Sequence, residues 1–182
     1  MSQTIKLLLA LSVAFSCSAF AQPDFESTKA RAEAGDSIDQ YNLGVMYANG
    51  TGVAENDQEA VKWYRLAAEQ GLAEAQYNLG VMYDDGEGVA ENDQEAVKWF
   101  RLAAEQGFAS AQFNLGVMYA NGTGVAQNDQ KAYMWFSVAA AQGDEGASAA
   151  RDRRRNLLSP QALEQAQAQA TRCFESNFQD CD

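Results

Sequence analysis

Histidine is absent from this chain of 182 residues, so the side chains that could do chemistry are carboxylates, cysteines and a few arginines. Without histidine there is no Ser-His-Asp or Cys-His catalytic arrangement, and the commonest metal ligand is missing. Neighbouring carboxylates occur at Asp84, Asp85 and Glu87, but their spacing does not fit an EF-hand loop for Ca²⁺. We interpret them as a solvated turn, and we expect no enzyme activity, no metal and no cofactor.

Residues 1–21 are typical of a secretory signal peptide. Lys6 precedes an apolar run over residues 7–15, and a small-x-small cleavage sequence ends at Ala21. The run is about half of the roughly 20 apolar residues that a membrane-spanning helix needs. We therefore expect cleavage after Ala21, a periplasmic or secreted mature protein and no membrane span, with lipidation at Cys17 as the alternative.

The mature chain is expected to be strongly acidic. Loss of Lys6 with the signal peptide leaves 12 basic and 25 acidic residues, a net charge of −13, which opposes binding to nucleic acid and to anionic lipid. The one basic cluster consists of Arg151, Arg153, Arg154 and Arg155. It is either a docking patch for an acidic partner or anionic headgroups, or a solvated face near the end of a helix, where the helix dipole favours cations.

An eight-residue sequence recurs along the chain: Gln-Tyr-Asn-Leu-Gly-Val-Met-Tyr begins at Gln40 and at Gln76, and returns with one Tyr-to-Phe change at Gln112. The period is therefore 36 residues, and the second copy is identical to the first at 28 positions and to the third at 23. The three copies are residues 36–71, 72–107 and 108–143. Self-similarity at this length is typical of a stacked repeat array, in which each unit is covered by its neighbours.

Each copy should form two helices. In the first copy, apolar periodicity runs from about Ser37 to Tyr47, and a stretch with two glycines then interrupts it. Asn56 is placed to cap a second helix, which should end just before Gly71, where a left-handed residue terminates it. Each copy is thus a helix, a long loop, a helix and a turn.

Spacing assigns the buried faces of these helices. The side chains expected to be buried in the second copy are Ala75, Leu79 and Tyr83 on its first helix and Ala96, Trp99, Phe100, Ala103 and Ala104 on its second. Gly80 should let the second helix approach closely, because it removes a side chain from the contact. We interpret the repeated Trp63, Trp99 and Trp135 as core residues rather than as a ladder for ligand stacking.

At a period of 36 residues, the order Ala, Leu-Gly-x-x-Tyr, Gly-x-Gly-Val and Ala-x-x-Trp-x-x-x-Ala-Ala-x-x-Gly resembles the Sel1-like repeat family. The tetratricopeptide repeat is the nearest alternative, but its usual period is about 34 residues. The resemblance implies an all-α fold, a right-handed superhelical α/α solenoid, and adaptors in assembly or signalling as the usual role; it carries over no active site. Asp39 departs from the pattern, because Ala75 and Ala111 hold the equivalent core-facing position, and it predicts looser packing of the first helix.

Both ends of a solenoid need caps, because a terminal repeat otherwise leaves one apolar side uncovered. Residues 22–35 align in part with the second helix of the first copy and should form an N-terminal capping helix. Residues 144–182 begin where a fourth copy would begin, but Arg151 and Asp152 occupy its Leu and Gly positions. This segment is therefore expected to form C-terminal capping helices.

The third copy predicts what the C-terminal segment covers. Its Met134 and Ala141 replace charged residues that should face solvent in the second copy. Loss of these charges indicates that the face is covered by another part of the chain. We therefore expect residues 157–174 to pack near Met134 and Ala141, in a helix that Ser159 caps and Pro160 begins.

Cys173 and Cys181 are the two cysteines of the mature chain, an even number that favours a disulfide in an exported protein. A continuous helix would separate their Cα atoms by about 12 Å, more than the roughly 7 Å that a disulfide tolerates. The helix must therefore end between them, near Asn177, with Phe178 turning back. Free thiols are the alternative.

The candidate binding surface follows from the same helical geometry. If positions 39, 43 and 47 face the core, the opposite side of each first helix repeats an aromatic residue, an asparagine and a valine. These residues are Tyr41, Asn42, Val45, Tyr77, Asn78, Val81, Phe113, Asn114 and Val117. First helices of helical solenoids line the concave surface, so the rows should form a groove floor whose asparagines pair with the backbone of an extended peptide. Recent duplication alone would also explain the repeated asparagines.

Three functions remain open at the level of sequence. The leading one is an exported scaffold that binds a protein or peptide in its groove. The second is a hydrolase of cell-wall material or β-lactams, since cysteine-rich members of the family it resembles have been linked to β-lactam binding or turnover; here the cysteines do not recur in each repeat. The third is a structural subunit of an envelope or motility assembly. The sequence leaves the oligomeric state open.

Overall fold

The computed structural model describes residues 24–181 of the chain, and these form helices and no strand. In chain order the helices are α1 (Phe25–Glu33), α2 (Ser37–Asn49), α3 (Asp57–Glu69), α4 (Ala73–Asp85), α5 (Asp93–Ala104), α6 (Ala109–Asn121), α7 (Asp129–Ala141), α8 (Glu145–Arg155) and α9 (Pro160–Glu175). Helices α2 to α7 are the two helices of each of the three copies, so the all-α prediction is confirmed. The predicted signal peptide lies outside the described residues.

The ends of the helices are set by the residues that the sequence pattern indicated. The Asn56 side chain accepts a hydrogen bond of 3.1 Å from the backbone N–H of Glu59 and so caps α3. Gly50, at φ 66°, ends α2, and Gly71, at φ 91°, lies just past α3. Only glycine adopts these left-handed conformations without strain, so the glycines fix where each helix stops.

Within a copy, the two helices meet closely at a glycine. A Cβ built on Gly80 would lie only 2.7 Å from Cδ1 of Phe100, and the pairs Gly44 with Tyr64 and Gly116 with Phe136 repeat this contact. Leu79, beside the glycine, is fully buried. The predicted close approach is confirmed, and an alanine at Gly80 would have to push the ring of Phe100 away.

The side chains that the spacing predicts to be buried are buried, with the exception of Tyr83. The five side chains expected to be buried on α5 are all buried, and so are the three tryptophans. Tyr83, expected in the core, is half-buried instead, because Arg65 donates a hydrogen bond of 2.7 Å to its hydroxyl at the surface. A phenol with a polar partner at its tip does not need full burial.

Buried glutamines join each copy to the one before it. Gln76, on α4, donates a hydrogen bond of 3.1 Å to the carbonyl of Ala68, on α3. Gln106, two residues past the end of α5 and in the same copy as Gln76, donates one of 2.7 Å to the side-chain oxygen of Gln76. The same pairs occur as Gln40 with Ala32 and Gln70, and as Gln112 with Ala104 and Gln142. A buried amide satisfied on both sides fixes the register between neighbouring copies.

The long loops also stack on the preceding copy. A Cβ built on Gly88 would lie 2.3 Å from the backbone carbonyl oxygen of Asp57, the first residue of α3. Gly124 lies equally close to the carbonyl of Asp93 at the start of α5. These glycines let the loop backbone touch the previous helix, which no larger residue allows.

The N-terminal helix α1 packs on α2 through a charged pair that replaces an apolar contact. Arg31 donates hydrogen bonds to both carboxylate oxygens of Asp39, at 2.5 and 2.8 Å. The Asp39 side chain is only 11% exposed. The expectation of loose packing at Asp39 was therefore wrong, because a partner from the neighbouring helix satisfies the core-facing carboxylate.

The C-terminal helices cover the third copy. Met134 is fully buried, helix α9 begins at Pro160, and Ser159 accepts a hydrogen bond of 3.2 Å from the backbone N–H of Ala162. These three expectations are confirmed. Ala141 lines a cleft between α7, α8 and α9 but stays exposed, so α9 covers the start of this face more completely than its end.

The chain turns sharply after α9. Asn177 and Phe178 have φ values of 54° and 66°, as expected for a helix that ends between the cysteines. The Cα atoms of Cys173 and Cys181 are 4.3 Å apart and a disulfide joins the two residues. Both cysteines are buried in the same apolar cluster as Met134, so the bond ties the end of the chain to the core.

Candidate functional site

The predicted binding surface lies on α2, α4 and α6, and we call it the first-helix face. It comprises Tyr41, Asn42, Val45, Tyr77, Asn78, Val81, Phe113, Asn114 and Val117. All nine residues are half-buried, whereas the helical pattern placed most of them on the exposed side. The difference arises because the aromatic and valine side chains of this face pack against the buried apolar clusters.

The aromatic row accounts for part of this burial. Tyr77 packs against Phe100 with 5.8 Å between ring centroids, and against Phe108 with 5.1 Å. Tyr41 and Phe113 contact the equivalent rings of their own copies, Tyr64 and Phe136, at 5.9 and 5.6 Å. These rings are therefore partly structural, because each packs against a ring of the second helix of its own copy.

The asparagine row is not equivalent from one copy to the next. Burial raises the pKa of Tyr64 to about 12, and a hydrogen bond between its hydroxyl and Asn78 acts in the opposite direction. The residue equivalent to Tyr64 in the next copy is Phe100, which has no hydroxyl, so Asn114 has no such partner. Unlike Asn78, Asn114 therefore has no tyrosine hydroxyl at its amide that a ligand would have to displace.

Two cavities meet at the first-helix face of α6. The first, of about 160 Å³, is lined by Asp84, Asn114, Val117, Met118, Asn121 and Thr123. The lining of the second, of about 190 Å³, includes Phe113, Val117, Phe136, Ala150, Arg153 and Arg154. Val117 and Asn121 line both, so this edge of α6 separates an acidic hollow next to α4 from a basic hollow next to α8.

The arginine cluster divides into paired and open side chains. Arg154 forms an ion pair of 2.8 Å with Asp129, the first residue of α7, and Arg151 pairs with its neighbour Asp152 at 2.9 Å. Arg153 and Arg155 are exposed. Of these two, Arg153 lines the basic hollow, so one arginine of the cluster faces the predicted binding surface.

Asp84 and Arg153 were not among the residues predicted to form the first-helix face. The signal that connects Arg153 to it was present, because Arg153 stands one period after Val117 and thus continues the valine row. Asp84 and Asp85 are the last two residues of α4, so the prediction that they lie in a turn was wrong. Burial is the largest cause that raises the pKa of Asp84, followed by the charges of Asp85, Asp93 and Glu91. The end of α4 thus contributes one carboxylate to a cavity wall.

The other candidate sites offer less chemistry. Among residues 24–181, no group of three or more histidine, cysteine, aspartate and glutamate side chains is arranged to hold a metal ion. Trp63, Trp99 and Trp135 are at most 7% exposed, so their rings cannot stack on a ligand without unfolding. A larger cleft of about 360 Å³, lined in part by Ser137, Arg151 and Phe174, lies at the C-terminal cap.

The described part of the chain, from residue 24 to residue 181, contains no helix that is both long and apolar enough to span a membrane.

Helix pairs of this geometry, repeated every 36 residues, define an α/α solenoid built to present a surface. Three matches to the Sel1 repeat family cover residues 37–72, 73–108 and 109–144, one residue later than the boundaries chosen from the sequence. The chain belongs to the Sel1 repeat family, and members of this family generally act as scaffolds for protein–protein interactions.

Solved structures support the same fold. A Sel1 repeat protein from Oxalobacter formigenes is 41% identical, with a TM-score of 0.65 over 70% of this chain and 96% of that one. A protective antigen of uropathogenic Escherichia coli strains, described as having an SLR fold, is 32% identical, with a TM-score of 0.77 over 85% of this chain and 34% of that one. Cysteine-rich protein B of Helicobacter pylori is 18% identical, with a TM-score of 0.57 over 69% and 92%, a likeness that shows the fold alone.

A sel1-like repeat-containing protein of Acanthamoeba polyphaga mimivirus is 46% identical over 44 residues, which is 24% of this chain and 8% of the viral protein. The match thus spans a small part of that relative's length.

Proposed function

We propose that this protein is an exported scaffold that binds a protein or peptide segment along its first-helix face. The observation that carries the proposal is that Val117 lies between two cavities on α6 and that Asn114 lines the first of them. Asn114 offers both a donor and an acceptor, and Val117 offers apolar contact to either side. This arrangement suits an extended chain, which presents backbone polar groups and side chains in alternation.

The size of the cavities favours a peptide over a small molecule. Volumes of about 160 and 190 Å³ lie below the roughly 300–1,000 Å³ that is usual for pockets that hold drug-sized ligands. Each cavity is therefore suited to a single side chain. Two such cavities on either side of Val117 would accept two side chains of one bound segment.

Export rests on the predicted signal peptide at residues 1–21 and on the cysteines. A disulfide between Cys173 and Cys181 is compatible with a periplasmic or secreted protein, because disulfides persist in oxidising compartments. We accordingly propose that the mature chain begins at Gln22 and works outside the cytoplasm.

A random-peptide phage library selected against the mature protein tests the binding surface. Selected peptides should bind the Asn114→Ala variant at least tenfold more weakly, a loss of about 1.4 kcal/mol. Asn114 is preferable to Asn78 for this test, because removing Asn78 also disturbs the hydroxyl of Tyr64. The matched control is Gln161→Ala, which removes an exposed amide on α9.

Equal binding by wild type, Asn114→Ala and Gln161→Ala would place the binding surface elsewhere. The circular dichroism spectrum and melting temperature of each variant show that a loss of binding is not a loss of fold.

Two further assays separate the scaffold from the alternatives that the sequence left open. Turnover of a chromogenic β-lactam by the pure mature protein would indicate the hydrolase, and the scaffold predicts none. A partner that stays bound through purification at high salt would indicate a permanent subunit of an assembly, whereas a transient scaffold should release it.

A further inference from the structure

We propose that the basic hollow between α6 and α8 binds the C-terminal residue of the partner, with the terminal carboxylate on Arg153 and the last side chain on the apolar floor. The inference rests on the proposed function and adds to it the chemical class and the orientation of the bound segment. The hollow is the second cavity described above, of about 190 Å³.

Arg153 continues the valine row of the first-helix face. Val45, Val81 and Val117 recur at the period of 36 residues, and Arg153 takes the next position. A segment that lies along the valine row therefore meets a guanidinium where the apolar row ends. Ala150 stands one period after Asn114, so the amide row also ends here, at a small residue.

At this hollow the guanidinium of Arg154 is held in an ion pair, whereas that of Arg153 is open. The Arg154 side chain is 23% exposed and pairs with Asp129 at 2.8 Å. The Arg153 side chain is exposed and forms no ion pair within residues 24–181. Both line the hollow. A carboxylate bound there gains the charge of Arg153 without breaking an existing pair, and guanidinium to carboxylate bonds are among the strong hydrogen bonds of proteins.

Apolar side chains line the hollow together with these charges. Phe113, Phe136, Val117 and Ala150 line the same hollow as the two arginines. A terminal residue with an aliphatic or aromatic side chain carries both groups, an apolar side chain and a carboxylate on the same Cα. A free phosphate or an acidic side chain alone would leave the apolar lining uncovered.

Carboxylates at the neighbouring acidic hollow favour a C-terminus over an internal acidic segment as the ligand. Asp84 lines the hollow on the other side of Val117, and the exposed Asp85 and Glu87 follow it in the chain. A segment with several negative charges would be repelled there. A segment whose one negative charge is its terminal carboxylate places that charge at Arg153 and presents neutral or basic residues to Asp84.

Paired peptide arrays test this inference. Both arrays carry the same short random peptides, fixed at the N-terminus, with a free carboxylate on one and an amide on the other. The free-carboxylate array should select peptides with an apolar last residue. Fluorescence polarisation on the best peptides should show at least tenfold weaker binding for the amide form, and Arg153→Ala should reduce carboxylate binding by the same factor.

Two control variants sharpen the result. Arg155→Ala removes an exposed arginine of the same cluster that does not line the hollow, and it should bind both peptide forms as wild type does. Arg153→Lys keeps the charge and should restore part of the preference for the carboxylate.

Equal binding of the carboxylate and amide forms would overturn the inference, as would equal effects of Arg153→Ala and Arg155→Ala. If amidated peptides bind through an internal acidic residue and this binding requires Arg153, the ligand is an acidic segment rather than a C-terminus, and the inference is wrong. If peptides bind both arrays equally and lose affinity on Asn114→Ala, the proposed function stands and this inference fails. If Asn114→Ala has no effect either, both fail.

Discussion

The ring of Phe178 lies over Gly107, so closely that a Cβ built on this glycine would be 2.6 Å from Cε2 of the ring. The contact joins the tail after α9 to the turn between α5 and α6. Gly107→Ala should therefore destabilise the protein in two ways, through left-handed strain at φ 85°, which costs about 1 kcal/mol, and through displacement of Phe178. Thermal unfolding followed by circular dichroism measures the sum.

Gly71→Ala is the matched control for that measurement. Gly71 has a similar φ of 91°, and nothing lies within 4 Å of a Cβ built on it. It should therefore show the strain alone, and Gly107→Ala should melt several degrees lower. Equal melting temperatures would mean that the tail contact contributes nothing to stability.

Met134→Lys should lower the melting temperature far more than Lys98→Met. Met134 is fully buried under the C-terminal cap, so a lysine there either buries a charge or pushes α9 away, and a cost of about 2–4 kcal/mol is expected. Lys98 is exposed and pairs with Glu95 at 3.2 Å, and an exposed pair of this kind is worth less than about 1 kcal/mol. Equal losses would show that α9 does not seal this face.

Reduction of the Cys173–Cys181 bond should destabilise the mature protein. The bond spans a sequence separation of eight residues, and closure of so short a loop is worth about 2–3 kcal/mol in the chain-entropy account. Adding a reductant should lower the melting temperature of wild type and leave a Cys173→Ser, Cys181→Ser double variant unchanged. Mass spectrometry of natively exported protein should find no alkylatable thiol; finding two would refute the bond.

The Arg31–Asp39 pair makes part of the stability depend on pH. The hydrogen bond from Arg31 is the largest cause that lowers the pKa of Asp39. A depressed pKa in the folded state adds stability above the unfolded value of about 3.9 and loses it as the pH falls through the folded value. Asp39→Asn should therefore be less stable than wild type at pH 7, with the difference shrinking below about pH 4.

Denaturant unfolding at several pH values measures this difference. Asp152→Asn is the control, because the Asp152 side chain is 63% exposed. It should follow wild type at every pH. A constant gap between Asp39→Asn and wild type down to pH 2 would show that the carboxylate charge is not what stabilises the contact.

Much of this fold could be predicted from the sequence because equivalent positions can be compared between the three copies. Positions that stay apolar in all three copies, such as Leu79 and Trp99, mark the core, and the loss of charge at Met134 marks a covered face. The Arg31–Asp39 pair could not be predicted in the same way. It joins an altered core position to a capping helix that only partly resembles a repeat, so the period gives no template for it.

The candidate site was predicted less completely. Helical periodicity gives the direction of a side chain about its own helix, but not how far a ring from the next helix covers it. The half-burial of Tyr77 by Phe100 and Phe108 is such a case. The difference between Asn78 and Asn114 depends on one hydroxyl in another helix. These are tertiary properties, which the periodicity of a single helix does not encode.

The amide contacts between copies have an evolutionary consequence. Gln76 bonds Ala68 and Gln106 in the same way as Gln112 bonds Ala104 and Gln142. An unequal crossover that inserts or deletes one whole unit of 36 residues would therefore recreate a junction that the protein already possesses. The length of the first-helix face can thus change by one whole repeat in a single genetic step. The basic hollow would stay at the last repeat, next to α8.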